Sequence, residues 1–83
     1  MSAMHCLKCR PEYFKAIADG RKTWEVRKND RDYQLGDRIL FREYNVQTGN
    51  YTGCSVYSTI IYLANLTSIG CEGFVGMTIR VYP

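Results

Sequence analysis

The sequence predicts a small α+β domain, mainly β: a five-stranded β-barrel with one N-terminal helix beside it. Three observations lead there. Five segments alternate with period two or are dense in Val, Ile, Thr and aromatic residues, as half-buried strands are. A single stretch carries apolar residues at helical spacing. Finally, 83 residues leave room for one compact core, so curling the sheet is the economical way to bury an inner face and remove edges. No repeat, low-complexity tract or linker interrupts the chain, and residues 1–83 read as one domain.

Met4 to Lys8 reads as a short opening strand. Arg10-Pro11-Glu12 then starts a helix. Proline suits the first turn, where its missing donor has no partner, and an early glutamate complements the helix dipole. Tyr13, Phe14, Ile17 and Ala18 form an apolar stripe, and Gly20 supplies a left-handed cap. Thr23 to Lys28 switches to period two. Trp24 and Val26 are expected to turn into the core there, with Thr23, Glu25 and Arg27 on the opposite face.

Asn29-Asp30-Arg31-Asp32 is turn-rich, and Gly36-Asp37 punctuates before a strand over Arg38 to Tyr44. Val46 to Asn50 is a hairpin connection containing a glycine. Cys54 to Leu63 reads as a long strand and Asn65 to Gly73 as irregular chain. Phe74 to Tyr82 alternates Val75, Met77, Ile79 and Val81 against Phe74, Thr78, Arg80 and Tyr82.

Composition excludes several classes. The hydrophobic fraction of 46%, with ten Tyr and Phe residues plus Trp24, is ample for a core and argues against disorder. No apolar run approaches the ~20 residues that span a bilayer. Met-Ser-Ala-Met-His has neither a charged leader nor an apolar stretch, so it does not read as a secretion signal. The expectation is a cytoplasmic protein with no membrane partner and four reduced cysteines. Cys6-Leu-Lys-Cys9 has the spacing of half a zinc knuckle, but Cys54 and Cys71 are separated by sixteen intervening residues and do not supply the other half. Strand alternation also sends Cys6 and Cys9 to opposite faces. Neither metal nor cofactor is therefore expected, with Cys9 in the core and Cys6 a semi-exposed thiol.

Charge is concentrated in one place. Arg21 to Arg31 holds five basic residues against Glu25 and Asp30, a surplus equal to the +3 of the whole chain. Such a local field favours anionic partners. Within it, Lys22, Glu25 and Arg27 are the leading candidates. Two cations beside one carboxylate suit a phosphate plus a base or ribose hydroxyl, because arginine grips phosphate bidentately while glutamate accepts N–H or O–H donors. The bland alternative is an ordinary surface ion pair, worth about 0–1 kcal/mol. Lys8, Lys28, Asn29 and Arg31 join the candidate binding set by charge and proximity.

Gly20 to Arg27 fits the pattern G-x-K-x-x-E-x-R and resembles the signature of ASCH domains, relatives of the PUA fold. His5 to Phe14, Asn29 to Tyr33, Gly36-Asp37, Thr52-Gly53, Ile61-Tyr62 and the Gly73-to-Tyr82 ending resemble an ASCH-related group of uncharacterised bacterial and phage domains. The resemblance implies a PUA-like barrel with an RNA-binding cleft between helix and barrel, lined by Lys22, Glu25 and Arg27. It also implies an enzymatic alternative, since some ASCH relatives are amidohydrolases acting on N4-acetylcytidine. Their threonine nucleophile falls where this chain has Glu25, and Glu43 and Glu72 do not match the context of their second glutamate. A carboxylate cannot replace a hydroxyl nucleophile in that chemistry without a different mechanism. A catalytic version of the site would draw on Lys22, Thr23 and Glu25.

The expected partner is RNA or a nucleotide-like ligand, with a protein-binding module as a third reading. Tyr33, Tyr44 and Tyr51 are candidates to stack on unpaired bases, against the simpler role of packing.

Overall fold

The computed structural model describes residues Ala3 to Tyr82. Five strands and one α-helix follow in the order β1 (Met4–Cys9), α1 (Pro11–Ala18), β2 (Trp24–Lys28), β3 (Arg38–Asn45), β4 (Asn50–Asn65) and β5 (Phe74–Val81), with a 3-10 turn at Thr67–Ile69. They build one sheet in the order β1-β3-β4-β5-β2. All neighbours are antiparallel except β1 and β3. The predicted mainly β architecture with one helix is what the chain adopts. β4 runs further than expected in both directions, pairing with β3 along its first part and β5 along its second, with a register shift between Ile60 and Tyr62. Such a shift bends a strand and increases its twist, which curls the sheet.

The curl leaves β1 and β2 as edges, and two arginines span the seam. Arg27 Nη2 donates to the Lys8 carbonyl at 3.2 Å, and Arg31 Nη1 donates to the Cys6 carbonyl at 3.1 Å. Guanidinium groups thus satisfy edge carbonyls of β1 where a closed barrel would use a backbone ladder.

The interior is filled by alternate residues of each strand, among them Leu7, Ile39, Phe41, Ile60, Val75, Met77 and Ile79, with Phe14 and Ile17 inserted from α1. Tyr13 and Ala18 lie on the exposed side of α1, so the buried stripe is narrower than predicted. Gly20 takes φ +81° as the helix stops. Before β3, Asp37 N–H donates to the Gln34 carbonyl and Gly36 has φ +91°, a tight turn that needs glycine at its third position.

Asp37 does more than punctuate. Only 2% exposed, its carboxylate accepts from Ala3 N–H at 3.0 Å, His5 Nε2 at 2.8 Å and Gln34 N–H at 3.0 Å. Tyr33 packs against His5 with ring centroids 4.7 Å apart. Burial alone would raise the Asp37 pKa. The Ala3, His5 and Gln34 hydrogen bonds, with the His5 charge, outweigh it and leave the carboxyl below its ordinary value.

Alternation along β1 buries Cys9 and leaves Cys6 exposed, as expected, and Cys54 and Cys71 are also exposed. Burial, reinforced by the Glu25 charge, pushes the Cys9 thiol up to about 11. A thiol reagent at neutral pH is expected to modify Cys6, Cys54 and Cys71 rapidly and Cys9 only after denaturation. Four equally fast thiols by mass spectrometry would contradict this placement.

Candidate nucleotide-binding site

The strand carrying the charged motif faces the opposite way from the sequence expectation. Trp24 and Val26 are 58% and 49% exposed, whereas Glu25 is 7% exposed. The period of two is right and the phase is reversed. Pairing fixes the phase: Glu25 lies opposite Met77 and Arg27 opposite Val75, both residues of the core face of β5. A one-residue offset exchanges the two faces of a strand, and here the ionic set takes the inner one.

Burial of Glu25 is tolerable because both its oxygens are engaged. Lys22 Nζ donates to Oε1 and Arg27 Nε to Oε2, each at 2.6 Å. Lys22 also donates to the Trp24 carbonyl at 2.8 Å, and its ammonium lies 4.6 Å from the Trp24 ring centroid. Lys22 reaches this position because the chain turns sharply after α1, with Lys22 N–H donating to the Ala16 carbonyl. Glu25 thus holds two cations in fixed positions, and both keep further N–H donors.

These groups line a hollow of about 540 Å³ between the start of α1 and β2, bounded by Lys8, Cys9, Arg10, Tyr13, Lys22, Trp24, Glu25, Val26, Arg27, Lys28 and Phe74. Five of those residues are cationic and one is a carboxylate. The volume lies within the range of small-molecule sites, roughly 300–1,000 Å³. Tyr13, Trp24 and Phe74 add aromatic surface, each substantially exposed. Cys9 also lines the hollow, but its raised pKa leaves little thiolate to act as a nucleophile at neutral pH.

Lys8, Lys22, Glu25, Arg27 and Lys28 come together as the sequence suggested; Asn29 and Arg31 do not line the hollow. Asn29 Oδ1 accepts from Tyr33 N–H at 2.9 Å, closing the loop after β2, and Arg31 is committed to the seam. Thr23 precedes β2 and borders a separate hollow of about 330 Å³ with Gly20, Lys22 and residues of β4 and β5. It therefore does not share a pocket with Glu25. Tyr33 is core rather than a stacking surface, being 2% exposed. Tyr44 and Tyr51 pack edge to face at 5.1 Å, with Lys8 over the first and Arg42 over the second.

Sequence reasoning missed Arg10, Tyr13 and Phe74 as site residues. No local pattern marks them, because the hollow is assembled across the seam from three distant segments. Among the described residues, no three His, Cys, Asp or Glu side chains group as metal ligands. No helix among them is long and apolar enough to cross a membrane.

Comparison with known proteins gives a relationship along most of the chain. A protein of Escherichia phage P2, named as an uncharacterized 12.9 kDa protein in the GpA 3' region, is 36% identical over 67 residues. That match takes in 81% of this chain and 60% of the phage protein's length. Residues 4–79 match the family described as Domain of unknown function (DUF3850), and the chain belongs to that family.

Proposed function

We propose that the hollow binds a nucleotide unit, most naturally an unpaired nucleotide of RNA, without metal or cofactor. One observation carries the reading. Five cations and a single carboxylate share a ligand-sized hollow with the rings of Tyr13, Trp24 and Phe74. Free donors on Lys22 and Arg27 suit a phosphate, and the rings offer a face to a base. Glu25 keeps lone pairs for a base or ribose donor even while it holds the two cations. The G-x-K-x-x-E-x-R pattern supports the same reading, and we infer that the family is an ASCH-type, PUA-like one. The amidohydrolase alternative draws no support from Thr23, which faces the other hollow.

Trp24 is the chain's only tryptophan, so its emission reports directly on the site. Titration with each of the four ribonucleoside monophosphates is expected to quench it saturably, and added KCl is expected to weaken the effect. Lys22→Ala and Arg27→Ala should each cost roughly tenfold or more in affinity, the loss of one charge-assisted hydrogen bond. Emission unmoved by millimolar nucleotide, or unchanged affinity in the Lys22→Ala/Arg27→Ala double variant, would refute the assignment.

A further inference from the structure

The outer face of the curled sheet has its own charge pattern. Alternation puts Lys28 of β2, Arg38 and Arg42 of β3 and Arg80 of β5 on that face, with Lys8 at its β1 margin. All five are exposed. None lies within 4.0 Å of a carboxylate among the described residues, whereas Arg10, Arg21, Lys22 and Arg27 all do. Of the two carboxylates carried by strands, Glu25 points inward and Glu43 sits at the β3 bulge, engaged by Thr52. The outward positions of the strands thus hold cations that no carboxylate among the described residues pairs with.

Aromatic residues alternate with those cations. Trp24 and Tyr62 both lie opposite Thr78, so the two rings flank it in one cross-strand row, 58% and 64% exposed. In the next row Arg80 and Arg38 both lie opposite Thr59. Tyr57 and Tyr82 follow, joined by a backbone hydrogen bond. Bare cations interleaved with open aromatic faces are the means by which proteins hold single-stranded nucleic acid, backbone on the charges and bases on the rings.

The face is also continuous with the hollow. Lys22 borders both hollows, and the second is lined further on by Thr78 and Arg80. We infer that a single strand of RNA leaves the nucleotide hollow past Lys22 and crosses the outer face of β5, β4 and β3. Its phosphates meet Arg80 and Arg38, and one base stacks on Tyr62. This inference rests on the nucleotide reading of the hollow and extends it from one nucleotide to a strand.

The test uses the full chain, a fluorescein-labelled twelve-nucleotide oligouridylate read by anisotropy at several KCl concentrations, and uridine monophosphate read by Trp24 emission. Arg38→Ala/Arg80→Ala should make the slope of log affinity against log salt shallower by about 1.4, since each single-strand phosphate contact contributes about 0.7. Tyr62→Ala, which leaves the charge intact, should weaken the oligonucleotide roughly tenfold. Monophosphate binding should stay within twofold of the parent in both, and matched thermal melts establish that both fold. Unchanged oligonucleotide affinity and slope with monophosphate still bound would overturn the strand path while leaving the hollow's assignment standing. Oligonucleotide binding that these variants weaken, with no monophosphate response, would instead sink the hollow and keep the face. Equal affinity for duplex RNA or polyglutamate would show a merely electrostatic surface, or one for acidic protein, and would overturn the proposal.

Discussion

Asp37→Ala is expected to remove roughly 3–5 kcal/mol of stability, the cost of breaking a buried, hydrogen-bonded pair. A domain of this length has only about 4–12 kcal/mol in total, so the variant should lose a quarter or more of its stability. The substitution strands three donors at once: His5 Nε2 and the Ala3 and Gln34 N–H groups. Two of them hold the entry of β1 beside β3, where Arg38 N–H also bonds the Ala3 carbonyl. Urea unfolding checks the size of the effect. Asp30→Ala, an equal charge change on an exposed loop, serves as the control and should stay within about 0.5 kcal/mol.

The pH dependence has a definite sign. Because folding lowers the Asp37 pKa, its contribution is complete above the ordinary carboxyl value and drains away as pH falls through the lower folded one. Stability of the parent should therefore fall with acid below about pH 4, the ordinary aspartate value. Asp37→Asn should lose that part of the slope. A loss under 1 kcal/mol for Asp37→Ala, or an acid profile that Asp37→Asn leaves unchanged, would rule out this role.

Asp37 illustrates what local pattern conveys and what it leaves out. Gly36-Asp37 reads correctly as a turn before a strand, since glycine at positive φ is a local requirement. Nothing local says that the carboxylate will be enclosed by His5 and Ala3, more than thirty residues earlier. The same distinction holds along β2. Alternation of Trp24, Val26 and Glu25, Arg27 was legible, but which set faces inward depends on register with β5. The aromatic residue invites an inward assignment on hydrophobicity alone. That preference is overridden because Lys22 and Arg27 neutralise Glu25 within the motif itself.

The ionic triad was readable because its members lie within six residues of one another. Arg10, Tyr13 and Phe74 were not, because they reach the hollow only once β1 and β2 approach across the seam. Arg31 and Asn29 show the converse error. Proximity in sequence placed them with the site, whereas the loop after β2 carries them to the Cys6 carbonyl and the Tyr33 N–H, outside the lining of the hollow.

Glu25→Gln separates the two tasks assigned to this carboxylate, holding the cations and accepting from the ligand. Loss of the charge leaves Lys22 and Arg27 without their shared counterion. Their side chains are 15% and 31% exposed, so both can turn toward water, and the stability cost should be about 1–3 kcal/mol rather than that of a fully enclosed pair. On the nucleotide reading, phosphate no longer competes with a fixed anion, so affinity at low salt should hold or rise while its salt dependence steepens. Discrimination should move the other way. A carboxylate accepting from a base donor is worth about 1.5–3 kcal/mol, so a tenfold or larger spread among the four monophosphates in the parent should collapse in the variant. Trp24 emission measures all four affinities in both proteins. An equal tenfold loss for every nucleotide, with the spread preserved, would remove Glu25 from base recognition.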